Sequence, residues 1–197
     1  VPRVNTVPPV IAAGRGEDYP QRKKPSTVRD IAQHKIVDAA CGSLHNVVLS
    51  TDGKVFSWGV NDDGALGRKG EEEKPGVVEG IEGKVKKVAC GDSHSAVLLE
   101  DGRVMTWGKY KNAAGHLGYS HDVVKQTTPA FVDGPAKLAK KKVVDLDCGF
   151  NHTAVVTDKG EVYCWGDGDL GQLARSLAPR WKRLATVPHH PVPLLKS

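Results

Sequence analysis

The chain has 197 residues, 39% of them hydrophobic and 26% charged, and a net charge of +5. That balance describes a folded globular protein rather than a disordered one, and no apolar run reaches the roughly 20 residues that a membrane helix needs. With 22 glycines and 12 prolines, the composition predicts many turns, as in an all-β protein.

The segment 1–33 reads as a degenerate half-repeat and linker. Val10-Ile-Ala-Ala-Gly14 stands where a strand should end, and Arg22 to Val28 reads as the connection that follows it. The start, Val-Pro-Arg-Val-Asn-Thr, has neither an initiator Met nor a basic-then-apolar secretory pattern. From His34 onward one pattern is written three times, over 34–83, 84–141 and 142–174. Its members are Cys41-Gly42-x-x-His45 to Trp58-Gly59, Cys90-Gly91-x-x-His94 to Trp107-Gly108, and Cys148-Gly149-x-x-His152 to Trp165-Gly166. The step from Cys to Trp is identical in every copy, although the step from Cys41 to Cys90 is shorter than that from Cys90 to Cys148. Such rigidity inside variable spacing marks an internal structural repeat.

Within each copy an apolar segment runs into Cys-Gly, an alternating stretch follows the His, and a turn (Asp52-Gly53, Asp101-Gly102, Lys159-Gly160) leads to the strand ending at Trp. Asp-Gly between two such runs is a hairpin signal. Strands at this period without helical patterning predict propeller blades, with Trp and Leu packed between neighbours. The chain is therefore expected to be an all-β partial propeller of three to three and a half blades. A closed propeller needs roughly four to eight, so the chain is expected to be a piece of a longer protein or to be completed by a second copy. The segment 175–197 forms a basic, Pro-rich tail.

Cys41, Cys90 and Cys148 share one repeat position, which places them on separate blades; without a Cys-x-x-Cys pair they read as small buried thiols rather than disulfide or zinc partners. His45, His94 and His152 also share a position, which argues for one scaffold hydrogen bond per blade. No Ser-His-Asp order, phosphate-cradling loop or catalytic carboxylate pair emerges, and no metal or cofactor is expected. The loop after Trp107 is the departure from regularity: the step from Trp107 to Leu117 is longer than the matching steps from Trp58 to Leu66 and from Trp165 to Leu173, which are equal. An insertion at one blade of a regular scaffold is where a binding element is placed.

Cys-Gly-x-x-His, Asp-Gly-x-Val, Trp-Gly and Gly-x-Leu-Gly together resemble the regulator of chromosome condensation repeat family, whose propellers have about seven blades. Asn61 to Arg68, Gly91-Asp92-Ser93-His94 and Asp101-Gly-Arg-Val resemble consecutive blades of the exchange-factor members of that family. The resemblance implies guanine-nucleotide exchange on a Ran-type small GTPase, in the nucleus and on chromatin. It assigns the extended loop, with Lys109, Tyr110, Lys111 and Asn112, to a wedge aimed at the nucleotide site, and Asp92 to the GTPase-facing rim. Asn151 stands where the resemblance implies an aspartate, and His45 and His94 join the set of GTPase-contact candidates. It further implies histone or nucleosome contacts by Arg175, Arg180 and Arg183, and DNA as a further partner; no membrane partner is expected. The alternative is a non-catalytic repeat propeller serving as an interaction module, as in ubiquitin-ligase scaffolds.

Overall fold

The computed structural model describes residues 11–16, 19–110, 123, 125–132 and 138–174. Their regular structure is antiparallel sheet, with single 3-10 turns at Arg29–Ile31 and Leu138–Lys140. A hairpin of β1 (Ile11–Gly16) and β2 (Tyr19–Thr27) comes first. Two four-stranded sheets follow: β3 (Ile36–Cys41), β4 (His45–Ser50), β5 (Val55–Gly59) and β6 (Gly76–Val77), then β7 (Val85–Cys90), β8 (His94–Leu99), β9 (Val104–Gly108) and β10 (Gln126–Phe131). The last sheet holds β11 (Val143–Cys148), β12 (His152–Thr157) and β13 (Val162–Gly166). Strands are ordered in each sheet as in the chain, the up-and-down meander of a propeller blade. The three sheets are called blades A, B and C below. One expectation is corrected: Arg22 to Thr27, read as linker, is strand, because it has β1 to pair with.

The blades stack face to face, and burial records which faces are covered. In β8 every residue is buried: Val97 and Leu99 pack toward blade A with Val47, Leu49 and Val55, while Ala96 and Leu98 pack toward blade C with Leu146, Val155 and Tyr163. Two-sided burial explains why β8 reads as a nearly continuous apolar run. In β12 the pattern alternates strictly, with Thr153, Val155 and Thr157 buried and His152, Ala154 and Val156 half-buried. That period of two is the signature of a sheet covered on one face. At the other end, β3 alternates with Val37, Ala39 and Cys41 exposed.

Cys41 therefore corrects the expectation of three buried thiols: among the described residues no complete blade precedes blade A, and its outward row meets solvent. Cys90 and Cys148 lie half-buried, with their thiols enclosed; burial pushes the Cys148 thiol up to about 12 and raises that of Cys90 further. Trp107 and Trp165 are buried, whereas Trp58, at the uncovered end, is half-buried.

A second device joins the inner strands. Each first strand slips register at the same place, between Ile36 and Asp38, Val85 and Lys87, and Val143 and Asp145. Such a bulge disrupts the ladder and leaves backbone groups to be satisfied otherwise. Asp38 and Asp145 accept the next N–H of their own strands, from Ala39 at 3.0 Å and Leu146 at 2.9 Å. Blade B carries Lys87 there, which cannot accept. Instead the Val88 N–H donates across the blade boundary to Asp38 at 2.9 Å, and Lys87 donates onward to Asp145 at 2.8 Å.

A loop face assembled from the repeat motif

The two ends of the repeat motif meet on one face of the arc. Val60, Lys109 and Asp167, each just after Trp-Gly, donate their N–H groups to the carbonyls of Leu44, Ser93 and Asn151, at 2.8, 2.9 and 2.7 Å. Gly59, Gly108 and Gly166 make that crossing at φ of +114°, +98° and +109°, values an L side chain rarely adopts. A Cβ on any of them would strike the carbonyl of Leu44, Ser93 or Asn151. The Gly of Cys-Gly serves close approach instead. A Cβ at Gly42 or Gly91 would enter the ring of its own blade's histidine, and would lie 2.5 or 2.6 Å from the Gly91 or Gly149 carbonyl of the next blade.

The histidines hold neighbouring blades together. His45 Nε2 lies 2.9 Å from Ser95 Oγ, and His94 Nε2 lies 3.1 Å from Thr153 Oγ1. Ser95 Oγ in turn donates to the Ala65 carbonyl at 2.8 Å, which also accepts the Trp107 indole N–H at 2.8 Å. His45 and His94 are 2% and 0% exposed. Burial lowers their pKa values to about 4 and about 3, for His94 with help from its neighbours His45 and His152 and against the opposing carboxylate of Asp92. Both are thus neutral and enclosed. They are removed from the set of partner contacts, because a ring walled in by two blades cannot touch a docked protein.

Asp92 and Ser93 form the corresponding turn of blade B. The Asp92 N–H donates to the Phe150 carbonyl of blade C at 2.8 Å, and Ser93 Oγ donates to the Asp92 carboxylate at 3.1 Å. Asp92 is 5% exposed, so its charge is held in a recess at the boundary of blades B and C. The root of the extended loop lies against the same turn, through the Lys109–Ser93 bond. Lys109 stays partly exposed with its ammonium 3.9 Å from Asp63. Tyr110 does not belong to a projecting wedge. It is fully buried, lies edge-on to His94 with ring centroids 4.3 Å apart, and its hydroxyl is 2.8 Å from Thr153 Oγ1.

The repeat explains this inward turn. The residue matching Tyr110 in blade A is Asn61, which staples its own loop by accepting from Leu66 N–H at 3.0 Å and donating to the Arg68 carbonyl at 3.1 Å. Blade B has traded that staple for an anchor to blade C. Asn151 is half-buried beside Asp92's partner Phe150, its carbonyl taken by Asp167. Lys111 and Asn112, and Arg175, Arg180 and Arg183, lie outside the described residues. Ser95 and Thr153, hydroxyls at one position of two copies, were legible in the repeat and are the scaffold partners of the histidines that sequence reasoning missed. Among the described residues no group of three His, Cys, Asp or Glu side chains is arranged to hold a metal, and no helix is long and apolar enough to cross a membrane.

Residues 11–195 match the family model of the RCC1-like domain. The chain belongs to the RCC1-like domain family. The Regulator of chromosome condensation of Xenopus laevis is 39% identical over 166 residues, covering 82% of this chain and 37% of that protein. The E3 ubiquitin-protein ligase HERC2 of Homo sapiens is 39% identical over 163 residues, covering 81% of this chain and 3% of that protein. The crystal structure of Prp20p from Saccharomyces cerevisiae, described with its binding to Gsp1p and histones, superposes with a TM-score of 0.71 at 31% identity, over 85% of this chain and 41% of Prp20p. The chain thus spans less than half the length of these relatives, and its sheets are blades of an RCC1-like β-propeller.

Proposed function

We propose that this chain forms the GTPase-facing arc of a guanine-nucleotide exchange factor for a Ran-type small GTPase, working on chromatin in the nucleus. The observation that carries the reading is the position of Asp92: a nearly enclosed carboxylate directly beside the root of the one extended loop, on one face. Of the three rim turns only that of blade B carries an acid, Ser43 and Phe150 taking the place in the others. The names of the relatives support it, and Prp20p is described as binding Gsp1p and histones.

The action is binding rather than bond chemistry. A small GTPase holds its nucleotide through a phosphate loop, a lysine and Mg²⁺. A factor that binds the nucleotide-free form more tightly weakens nucleotide binding at equilibrium, and it accelerates release by displacing the nucleotide's contacts in the complex of all three. Asp92 is suited to receive the lysine that the departing phosphates leave unpaired. In its recess such a pair is strong, provided the partner's ammonium also finds hydrogen bonds. The loop that starts at Lys109, including Lys111 and Asn112, acts as the element that displaces the phosphate loop. Asn151 supplies a hydrogen-bonding amide without a charge. Arg175, Arg180 and Arg183 are proposed to contact histones, with DNA phosphates as a further partner of the basic clusters. Self-association, or further repeats, would complete the ring.

The likeness to HERC2 favours a second reading, an interaction module without exchange activity. Release of fluorescent GDP from the GTPase separates the two. The exchange reading expects dose-dependent acceleration that falls about tenfold or more in Asp92→Ala, the scale for losing one partner of a buried charge pair, while the variant stays folded. A folded wild-type chain that leaves GDP release unchanged supports the module instead.

A further inference from the structure

Three fully buried groups, His94, Thr153 and Tyr110, meet across the boundary of blades B and C. Thr153 Oγ1 lies 3.1 Å from His94 Nε2 and 2.8 Å from the Tyr110 hydroxyl. The boundary of blades A and B carries the sister arrangement and shows how such a chain is wired. Ser95 uses its single proton on the Ala65 carbonyl, which can only accept, so His45 Nε2 donates to Ser95. Between B and C the Tyr110 hydroxyl takes the place of that carbonyl.

With the His94 ring neutral, two wirings are open. If Tyr110 donates to Thr153 and Thr153 to His94 Nε2, the ring proton sits on Nδ1, which is buried without a partner among the described residues. If His94 Nε2 donates to Thr153 and Thr153 to Tyr110, Nδ1 is an unused acceptor instead. An enclosed N–H without a partner is the rarer fault, so the second wiring holds, as it does at the sister boundary.

The relay is fastened to the acid-bearing turn. Tyr110 lies edge-on to His94, and its neighbour Lys109 donates its N–H to the Ser93 carbonyl, while Ser93 Oγ donates to Asp92. Residues 92–94 and 109–110 therefore form one block. Two ties hold that block against blade C, the Asp92 N–H to the Phe150 carbonyl and the Tyr110–Thr153 bond. The second tie belongs to blade B: at the position of Tyr110, blade A has Asn61, bonded within its own loop, and blade C has Gly168.

We propose that Tyr110 is a positioning residue: through the relay from His94 to Thr153 to Tyr110 it sets where the Asp92 carboxylate and the start of the extended loop stand relative to blade C. The inference rests on the exchange reading, which is what puts Asp92 to work.

Release of fluorescent GDP, followed over a range of GTPase–GDP concentrations with the full chain, separates kcat from KM. Tyr110→Phe removes the hydroxyl and keeps the ring. Ser95→Ala removes the sister hydroxyl, equally buried, at the boundary away from Asp92, so a merely structural loss touches both variants alike. Thermal melts establish that each is folded at the assay temperature. Tyr110→Phe is expected to lower kcat about fivefold or more, since misplacing a working group by about 1 Å costs up to about a hundredfold. Its KM should stay within about twofold of wild type, as should both constants of Ser95→Ala. Should Tyr110→Phe melt early, Thr153→Val, which replaces the hydroxyl by a methyl, carries the comparison. ¹⁵N NMR at neutral pH should find the His94 proton on Nε2; a proton on Nδ1 overturns the relay. A folded Tyr110→Phe with wild-type kcat, or an equal fall in Ser95→Ala, overturns the positioning role while leaving the exchange reading intact. A wild-type chain that leaves GDP release at its spontaneous rate overturns the exchange reading and the positioning role with it.

Discussion

His45 and His94 show how a single repeated residue can be read wrongly or rightly from its surroundings. Each is an imidazole on a family motif, but each sits between two blades with a hydroxyl as its partner. Burial keeps both neutral in the folded chain, whereas their ordinary value is 6.5. As the pH falls below about 6.5 the unfolded chain takes up protons that the folded chain refuses, so stability is lost progressively down to about pH 4 for His45 and about pH 3 for His94. Each histidine contributes a slope approaching 1.4 kcal/mol per pH unit in the middle of that window, about the value of one pKa unit. Urea unfolding at a series of pH values should show the midpoint falling between pH 7 and 4.5, with a shallower fall in His94→Asn; a flat wild-type profile contradicts the buried neutral pair. Trp107 allows a parallel test. It is fully buried and donates to Ala65, so Trp107→Ala should cost about 3–5 kcal/mol, whereas the half-buried Trp58 should cost clearly less. Equal losses in chemical denaturation would deny that the blades cover these rings unequally. The scaffold role of the histidines was legible from their shared position. The inward turn of Tyr110 was not, because its cause lies in a residue of the next blade, Thr153, and in the absence of the asparagine that staples the loop in blade A.

At the scale of the element, the blade is a meander whose motif residues are explained by where backbone must cross backbone. Gly108 and Gly160 both adopt positive φ, +98° and +74°, but only Gly108 lies against another chain segment. Gly160→Ala meets nothing within 4 Å, so it should cost only the conformational strain of about 1–2 kcal/mol. Gly108→Ala adds a collision with the Ser93 carbonyl and should lower the melting temperature further; a smaller effect than that of Gly160→Ala would contradict the crossing. The three blades were legible because Cys, His, Gly and Trp recur at fixed spacing, and the backbone crossing after Trp-Gly is made once in every copy. The strand at Arg22 to Thr27 was missed because a Lys-Lys-Pro run has little strand propensity, and pairing with β1 overrides it. The carboxylate caps on the bulges were also hidden: Asp38, Lys87 and Asp145 share a position but not a charge, and the compensation passes between blades.

For the whole molecule, the same comparison divides scaffold from function. Repeated positions in blade B are buried between its neighbours, and of the positions that differ between copies, Leu44, Asp92, Lys109, Phe150 and Asn151 lie on the loop face, whereas Asp38, Lys87 and Asp145 serve the blade boundaries. Exposure alone does not pick them out, since Asp92 is recessed and Leu44 is open. What unites them is freedom from the repeat. If that face works by receiving a lysine from the GTPase, a second carboxylate on the rim of blade C should strengthen it, since Asn151 offers only an uncharged amide there. The decisive measurement is fluorescent GDP release from a Ran-type GTPase, with wild-type chain and Asn151→Asp compared at equal concentration. Acceleration by the wild type and faster release still with Asn151→Asp is the predicted result; folded samples of both that leave release at its spontaneous rate would contradict the assignment of exchange to this face.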